Sequence, residues 1–152
     1  MRPEIARGKK YTLVLDLDET LIHYNEDEHY YLVRPGVNDF LKELSNYFEL
    51  VMFTASVKEY ADWIVDSIDP QRLFDYRLYR PHCKYQDEMY IKDISMLGRD
   101  LSKVIIIDNL FDSFMNQPDN GILIENWFDD MEDQELHVLK PFLKGKKTAL
   151  TD

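Results

Sequence analysis

The chain is poor in cysteine, glycine, proline and positive charge, and it has no long apolar run. A single cysteine, Cys83, excludes an intramolecular disulfide framework and fits a reducing, intracellular compartment. With only five glycines and six prolines, no linker, internal repeat or low-complexity tract stands out. Residues 1–152 therefore read as a single domain. No stretch is long and apolar enough to span a bilayer, and no signal-peptide core follows Met1, so no direct membrane insertion is expected. Lys and Arg number 18 against 29 Asp and Glu, a net charge of −11. A surface that meets nucleic acid or anionic lipid needs the opposite sign. Nucleic acid is therefore not an expected partner, whereas a basic or phosphorylated peptide is compatible with the charge. The basic runs Arg7–Lys10 and Lys144–Lys147 read as solvated charge near the two ends.

The 45% of apolar residues is enough for a sizeable core, and its arrangement is informative. "TLVLD" from Thr12, "ELVMFT" from Glu49 and "KVIIID" from Lys103 are short, β-branched or leucine-rich and without alternation, as in strands buried on both faces. Between them, "VNDFLKELSNYF" places Val37, Phe40, Leu41, Leu44 and Phe48 at helical spacing. "VKEYADWIVDSI" does the same with Tyr60, Trp63, Ile64 and Ile68; Ser56 is its expected N-cap and Asp69-Pro70 its end. A third helix, "EDQELHVLKPFL", should be kinked or interrupted at Pro141. Strands alternating with helices predict an α/β fold: a Rossmann-like parallel sheet with helices on both faces. The Tyr- and Arg-rich span Asp75–Ile91 reads as a small antiparallel β insert, and no connection has room for a large cap domain.

The three strands end in polar residues: Asp16, Thr54 and Asp108-Asn109. In open parallel sheets, ligands collect at the carboxyl ends of the strands beside a topological switch point, so these ends should converge. Lys92, in "MYIKDIS", is the cation expected to join them. Asp16, Asp18 and Asp108 would bring about three negative charges together. Two carboxylates about 4 Å apart repel by roughly 4 kcal/mol at an effective dielectric of 20. One lysine does not offset that, whereas a divalent cation with all-oxygen ligands does, and Mg²⁺ suits such a set. The constellation therefore reads as a phosphate site, with metal on one side and Lys92 and Thr54 on the other. Asp16 and Asp18 can divide the roles of nucleophile and proton donor if their environments differ. Taken singly, each residue has a plain structural reading: surface acid, strand-end threonine, surface lysine, turn. An EF-hand loop is excluded because Leu21 stands where its turn glycine must be. His23, His29, His82 and His137 lack metal-ligand spacing, and nothing marks Cys83 as a nucleophile. Tyr60, Trp63, Phe111 and Phe114 are expected in the core.

"DLDETL" (16–21), "FTAS" (53–56), "YIKDIS…LGRDL" (90–101), "IIIDN" (105–109) and "ENWFDDMEDQEL" (125–136) resemble the small C-terminal-domain phosphatases, also called NLI-interacting-factor-like phosphatases, of the haloacid dehalogenase superfamily. The likeness runs from about residue 10 to about 143. It implies the fold of that superfamily and a Mg²⁺-dependent phosphoserine/phosphothreonine protein phosphatase working through an aspartyl-phosphate. Carried over, Asp16 is nucleophile and metal ligand, and Asp18 is general acid/base and a metal ligand through its carbonyl. Thr54 and Lys92 bind phosphate, Asn109 completes the metal site with Asp108 beside it, and Arg80 resembles a substrate-contacting arginine. The implied partner is a phosphorylated protein or peptide, including the RNA polymerase II tail, with a nuclear location. Relatives that act on that tail carry a longer hairpin after the first motif, which helps form an apolar pocket for a substrate proline. Here only "YNEDEHYYL" separates His23 from "VRPG", and Glu26, Asp27 and Glu28 make it acidic. Two rival readings share these residues: a phosphatase for small phosphorylated metabolites or nucleic-acid ends, and a non-catalytic binding module. The latter predicts loss of a motif acid, and both Asp16 and Asp18 are present.

Overall fold

A computed structural model describes residue 9 and residues 11–151, with side chains described as far as residue 145. The basic run Arg7–Lys10 therefore lies outside the described residues except for Lys9, which stands 3.7 Å from Asp75. In the second run, Lys144 pairs with Glu43, while the side chains of Lys146 and Lys147 are outside the description.

Five residues, Tyr11–Leu15, all apolar but Thr12, form β1, buried along its whole length. On one side it pairs in parallel with β4 (Phe48–Phe53), Leu13 opposite Leu50; on the other it pairs with β8 (Val104–Asp108), Leu13 opposite Ile105. Two three-residue strands finish the sheet, β5 (Tyr76–Leu78) beside β4 and β9 (Gly121–Leu123) beside β8. The order is β5-β4-β1-β8-β9, all parallel. The chain moves from β1 one way to β4 and β5, then returns across the sheet to β8 and β9. Right-handed crossovers then put the first connections on one face and the later ones on the other. The direction reverses between β1 and β8, which opens a crevice at their carboxyl ends.

Alternate residues of the strands feed two cores. Leu13, Leu15, Leu50, Met52, Ile105 and Ile107 face α1 (Val37–Leu44), α2 (Lys58–Ile68) and α3 (Glu135–Thr151). Val14, Val51, Phe53 and Ile106 face the 3-10 turns Ile94–Leu97 and Phe111–Phe114. Outside the main sheet, β2 (Ile22–Asn25) and β3 (Tyr30–Val33) form one antiparallel hairpin, and β6 (Lys84–Gln86) and β7 (Met89–Ile91) another.

Several expectations are corrected. The antiparallel insert begins at β6, because Tyr76–Leu78 joins the parallel sheet as its edge. Phe48 is buried in β4 rather than on α1, which ends at Leu44. The buried face of α2 is Ala61, Ile64, Val65 and Ile68, which fits helical spacing as well as the expected set does. Trp63 is 52% exposed beneath the β2–β3 hairpin. Phe111 is 51% exposed, its ring edge-on to the buried Phe114. Pro141 does not interrupt α3: Leu136 before it and Leu143 after it are both anchored in the core, and that packing outweighs one missing backbone bond.

Gly121 opens β9 where the ring of Phe114 lies flat on the backbone. A Cβ there would stand 2.1 Å from the ring, which is 2% exposed and has no room to move. Gly121→Ala is expected to destabilise the fold by about 1–3 kcal/mol, the usual range for overpacking. Urea denaturation reads this directly, and a variant as stable as the wild type would mean that the edge strand yields freely.

Candidate active site

After β1 the backbone turns within six residues. The carbonyl of Leu17 accepts hydrogen bonds from Thr20, Leu21 and Ile22 N–H, and Glu19 takes up a left-handed conformation (φ 61). That conformation costs a non-glycine residue about 1 kcal/mol or more, so the surroundings must hold it. They do: Trp127 N–H donates to Glu19 O (2.9 Å), and the buried Arg34 donates to Thr20 O (3.1 Å). Arg34 also forks onto Asp133 through Nε (2.8 Å) and Nη2 (3.0 Å). The segment 125–133 thus straps the turn from outside.

The turn points Asp16 into the crevice. Its Oδ1 accepts from Lys92 Nζ (2.7 Å), and its Oδ2 accepts from Thr20 Oγ1 (3.1 Å). The same ammonium donates to Asp108 Oδ2 (2.6 Å) from the end of β8, while Asp108 Oδ1 accepts from Leu110 N–H (3.0 Å). All three groups are almost wholly buried. Burial alone would lower the Lys92 pKa, but the Asp16 and Asp108 carboxylates hold it above its ordinary value. Burial, with the Asp16 charge, pushes Asp108 up against the pull of Lys92. One cation therefore faces two carboxylates, a site still short of positive charge.

Asn109 stands beside this cluster. One terminal atom of its amide lies 2.7 Å from Asp16 Oδ2 and 3.2 Å from Asp108 Oδ1, and the other lies 2.7 Å from Asn126. With nitrogen inward, the amide donates to both carboxylates. With oxygen inward, acceptors face acceptors, which needs a cation. The 2.7 Å spacing is close to the about 2.9 Å edge of an oxygen octahedron around Mg²⁺. Among the described residues, no group of three or more His, Cys, Asp or Glu is placed to hold a metal. The donors that the structure brings together for such an ion are Asp16 Oδ2 and, with the amide oxygen inward, Asn109 Oδ1. Asp108 commits both oxygens to its neighbours and stands behind them.

Thr54, at the end of β4, is buried; its Oγ1 accepts from Ser56 N–H (3.0 Å), leaving the hydroxyl hydrogen to donate elsewhere. Asp18 does not touch Lys92. Its Oδ1 accepts from Tyr60 OH (2.5 Å) and its Oδ2 from Ser56 Oγ (3.0 Å). Burial first, then the Asp16 charge, raises the Asp18 pKa, while the Tyr60 and Ser56 hydrogen bonds partly offset the rise. The two motif acids thus occupy different environments. Ser56 is not the N-cap of α2; that position is Val57, without a side-chain cap.

Asp18 opens onto a groove of about 800 Å³ lined by Glu19, His23, Tyr24, Glu26, Asp27, Tyr60, Arg80 and Phe128. Arg80 sits at its edge, donating from Nε to Ala55 O (2.7 Å) and lying over the Tyr90 ring. The hairpin wall is aromatic as well as acidic: Tyr24 meets Tyr60 and Trp63 edge-on, and Tyr31 meets Trp63. Cys83 is half-buried behind Thr54, its thiol pushed up in pKa by burial. Ser56, Tyr60, Arg34, Asn126 and Asp133 had no site role on sequence grounds. Arg34 lies in "VRPG" and Asp133 at the start of the expected third helix, where its charge read as a first-turn acid.

Lys92→Met removes the cation shared by Asp16 and Asp108 and leaves both carboxylates buried. The metal-free protein should lose about 3–5 kcal/mol in urea denaturation, as when one partner of a buried ion pair is deleted. Adding Asp108→Asn should restore part of the loss. An unaltered midpoint for the single variant would show that Lys92 does not hold these charges in place.

Comparison with known proteins agrees with this geometry. A family model for NLI interacting factor-like phosphatase matches residues 11–152. CTD small phosphatase-like protein 2 of Dictyostelium discoideum is 44% identical, covering 94% of this chain and 28% of that protein. Human CTD small phosphatase-like protein is 43% identical, covering 91% of this chain and 56% of its own length. The human carboxy-terminal domain RNA polymerase II polypeptide A small phosphatase 1 is 41% identical, with 89% and 59% covered. The chain thus spans from about a quarter to three fifths of these relatives. Among solved structures, Fcp1, an essential RNA polymerase II CTD phosphatase, superposes with a TM-score of 0.64 at 23% identity, covering 93% of this chain and 49% of that one. A haloacid dehalogenase-like family hydrolase from Xanthomonas campestris superposes at 0.69 with 11% identity and 97% of each chain covered, a likeness of fold. With a parallel sheet of the same architecture and a family match from β1 to α3, the chain belongs to the NLI interacting factor-like phosphatase family.

Proposed function

We propose that the chain is a Mg²⁺-dependent phosphoserine/phosphothreonine protein phosphatase that works through an aspartyl-phosphate, an acyl phosphate on Asp16. The observation that carries this reading is the pair of motif acids in two environments, Asp18 on the groove wall and Asp16 buried beside Lys92. Asp16 is fixed against Lys92 and Thr20, and Asp18 is held one residue away by neutral donors.

A phosphoserine entering the groove meets positive charge from Lys92 and a free donor from Thr54. An Asp16 carboxylate oxygen attacks phosphorus, and the bond to the serine oxygen breaks. Asp18 gives its proton to that leaving oxygen, a task suited to a carboxyl with a raised pKa. Asp18, now ionised, takes a proton from water, which attacks phosphorus and frees Asp16 and inorganic phosphate. Bound Mg²⁺ at Asp16, Asn109 and the Asp18 carbonyl would supply the positive charge that Lys92 alone lacks. The open groove, with no cap domain among the described residues, favours a phosphorylated protein side chain over a small metabolite, which needs enclosure from water.

The names of the relatives point to the RNA polymerase II tail, a nuclear substrate. Glu26 and Asp27 on the groove wall favour a second reading, a different phosphoprotein with basic residues beside the phosphorylated one. Phosphate release from polymerase-tail phosphopeptides, unrelated phosphopeptides and an aryl phosphate separates the two. Turnover should require Mg²⁺ and stop with EDTA. Asp16→Asn should remain folded and fall by at least about 1,000-fold, as when a nucleophile is removed, while Cys83→Ser stays active. Wild-type turnover by Asp16→Asn, or no turnover of any substrate by folded protein, would end the proposal.

A further inference from the structure

The Asp18 carboxylate is bound on both oxygens by donors from one short segment. Ser56 ends the connection after β4, and Tyr60 lies four residues on, in the first turn of α2 and on the same side. We propose that Ser56 and Tyr60 are positioning residues that aim the Asp18 proton at the leaving oxygen. The inference rests on the phosphatase reading above and concerns its acid step.

A carboxyl oxygen has two lone-pair positions. Tyr60 OH takes one on Oδ1, and Ser56 Oγ–H takes one on Oδ2. A proton arriving on Asp18 must then occupy a position that these donors leave open. Without them the carboxyl can rotate, and its proton can point along several directions that do not meet the substrate. Neither donor competes for the proton, because phenol and serine hydroxyls are ordinarily protonated near neutral pH.

Both donors are themselves braced. Ser56 N–H donates to Thr54 Oγ1 (3.0 Å), and Ser56 O accepts from Arg80 N–H (3.0 Å). The ring of Tyr60 is met edge-on by Tyr24 at 5.4 Å, so the β2–β3 hairpin presses on it from the groove side. The site thus holds its acid by way of α2 and the hairpin, while Lys92 holds its nucleophile by way of β7 and β8.

The test separates aim from mere scaffolding through the leaving group. A good leaving group such as p-nitrophenolate departs with little protonation, whereas a serine alkoxide does not. In Tyr60→Phe, kcat/KM on a phosphoserine peptide should fall about 10-fold or more, the scale of a hydrogen bond to a charged group. On p-nitrophenyl phosphate it should fall by about twofold or less, so the plot of log kcat/KM against leaving-group pKa steepens across a series of aryl and alkyl phosphates. Ser56→Ala should show the same signature. The double variant should lose less than the product of the single losses, because both act on one carboxyl. Thermal unfolding checks that each variant folds, and wild-type turnover together with a dead Asp16→Asn first establishes the underlying reaction. A loss equal across all leaving groups, or none on any, from folded variants of an active enzyme would overturn the positioning role and leave the phosphatase reading intact.

Discussion

The interaction on which the rest depends is the buried ammonium of Lys92 between Asp16 and Asp108. Two carboxylates and one ammonium carry a net negative charge into a nearly dry crevice, which no set of apolar contacts compensates. The sheet tolerates this only because three different strand connections deliver the groups to one place: β1 brings Asp16, β7 leads into Lys92, and β8 ends in Asp108. Folding must therefore be nearly complete before the charges meet, and the site is a product of the tertiary structure rather than of any one loop. The same imbalance bears on Asn109, whose amide stands 2.7 Å from Asp16 Oδ2: its N–H donors relieve part of the deficit that Lys92 leaves, and with its oxygen inward a second cation would do so.

Much of this was legible in the sequence because buried parallel strands carry a clear signal. Leu13–Leu15 and Ile105–Ile107 have no polar residue until Asp16 and Asp108, and an apolar run ending in a carboxylate is an uncommon expense unless the acid is used. Short edge strands carry no such signal: β5 and β9 are three residues each, and Gly121 opens β9 for a reason visible only once Phe114 lies against it. Trp63 was misplaced because residues 60, 63, 64 and 68 and residues 61, 64, 65 and 68 fit helical spacing equally well. The choice between them is made by the hairpin, which covers Trp63 with Tyr24 and Tyr31. Ser56 had a local reading as a helix cap that concealed its bond to Asp18, 38 residues away.

The strap formed by residues 125–133 performs a different task from the catalytic candidates. Trp127 is almost wholly buried, its backbone N–H holds Glu19 O, and its indole N–H donates to Asp130 O (2.7 Å). Arg34 links Thr20 O to Asp133, joining the turn after β1 to the segment that leads into α3. A residue such as Glu19, held in a left-handed conformation, would relax if left free. The strap keeps that turn strained and Asp18 in reach of its donors. The far end of the chain thereby contributes to a site built mainly near its beginning.

A groove open on one side and braced on the other suits a reaction whose substrate is part of a protein. In a site for small phosphorylated molecules the protein must supply a lid, because exposed water competes for the phosphate and screens the charges that bind it. Here the described walls are a two-stranded hairpin and one helix, joined by aromatic contacts, and on the proposed reading the substrate protein would supply further cover. On the phosphatase reading proposed above, affinity would come from the flanking residues of a phosphoprotein and chemistry from Asp16, Asp18 and Lys92. On the same reading, the carboxylates of Glu19, Glu26 and Asp27 would repel a second phosphate nearby and attract a neighbouring lysine or arginine. A heavily phosphorylated tail and a singly phosphorylated basic segment would feel opposite forces at this wall.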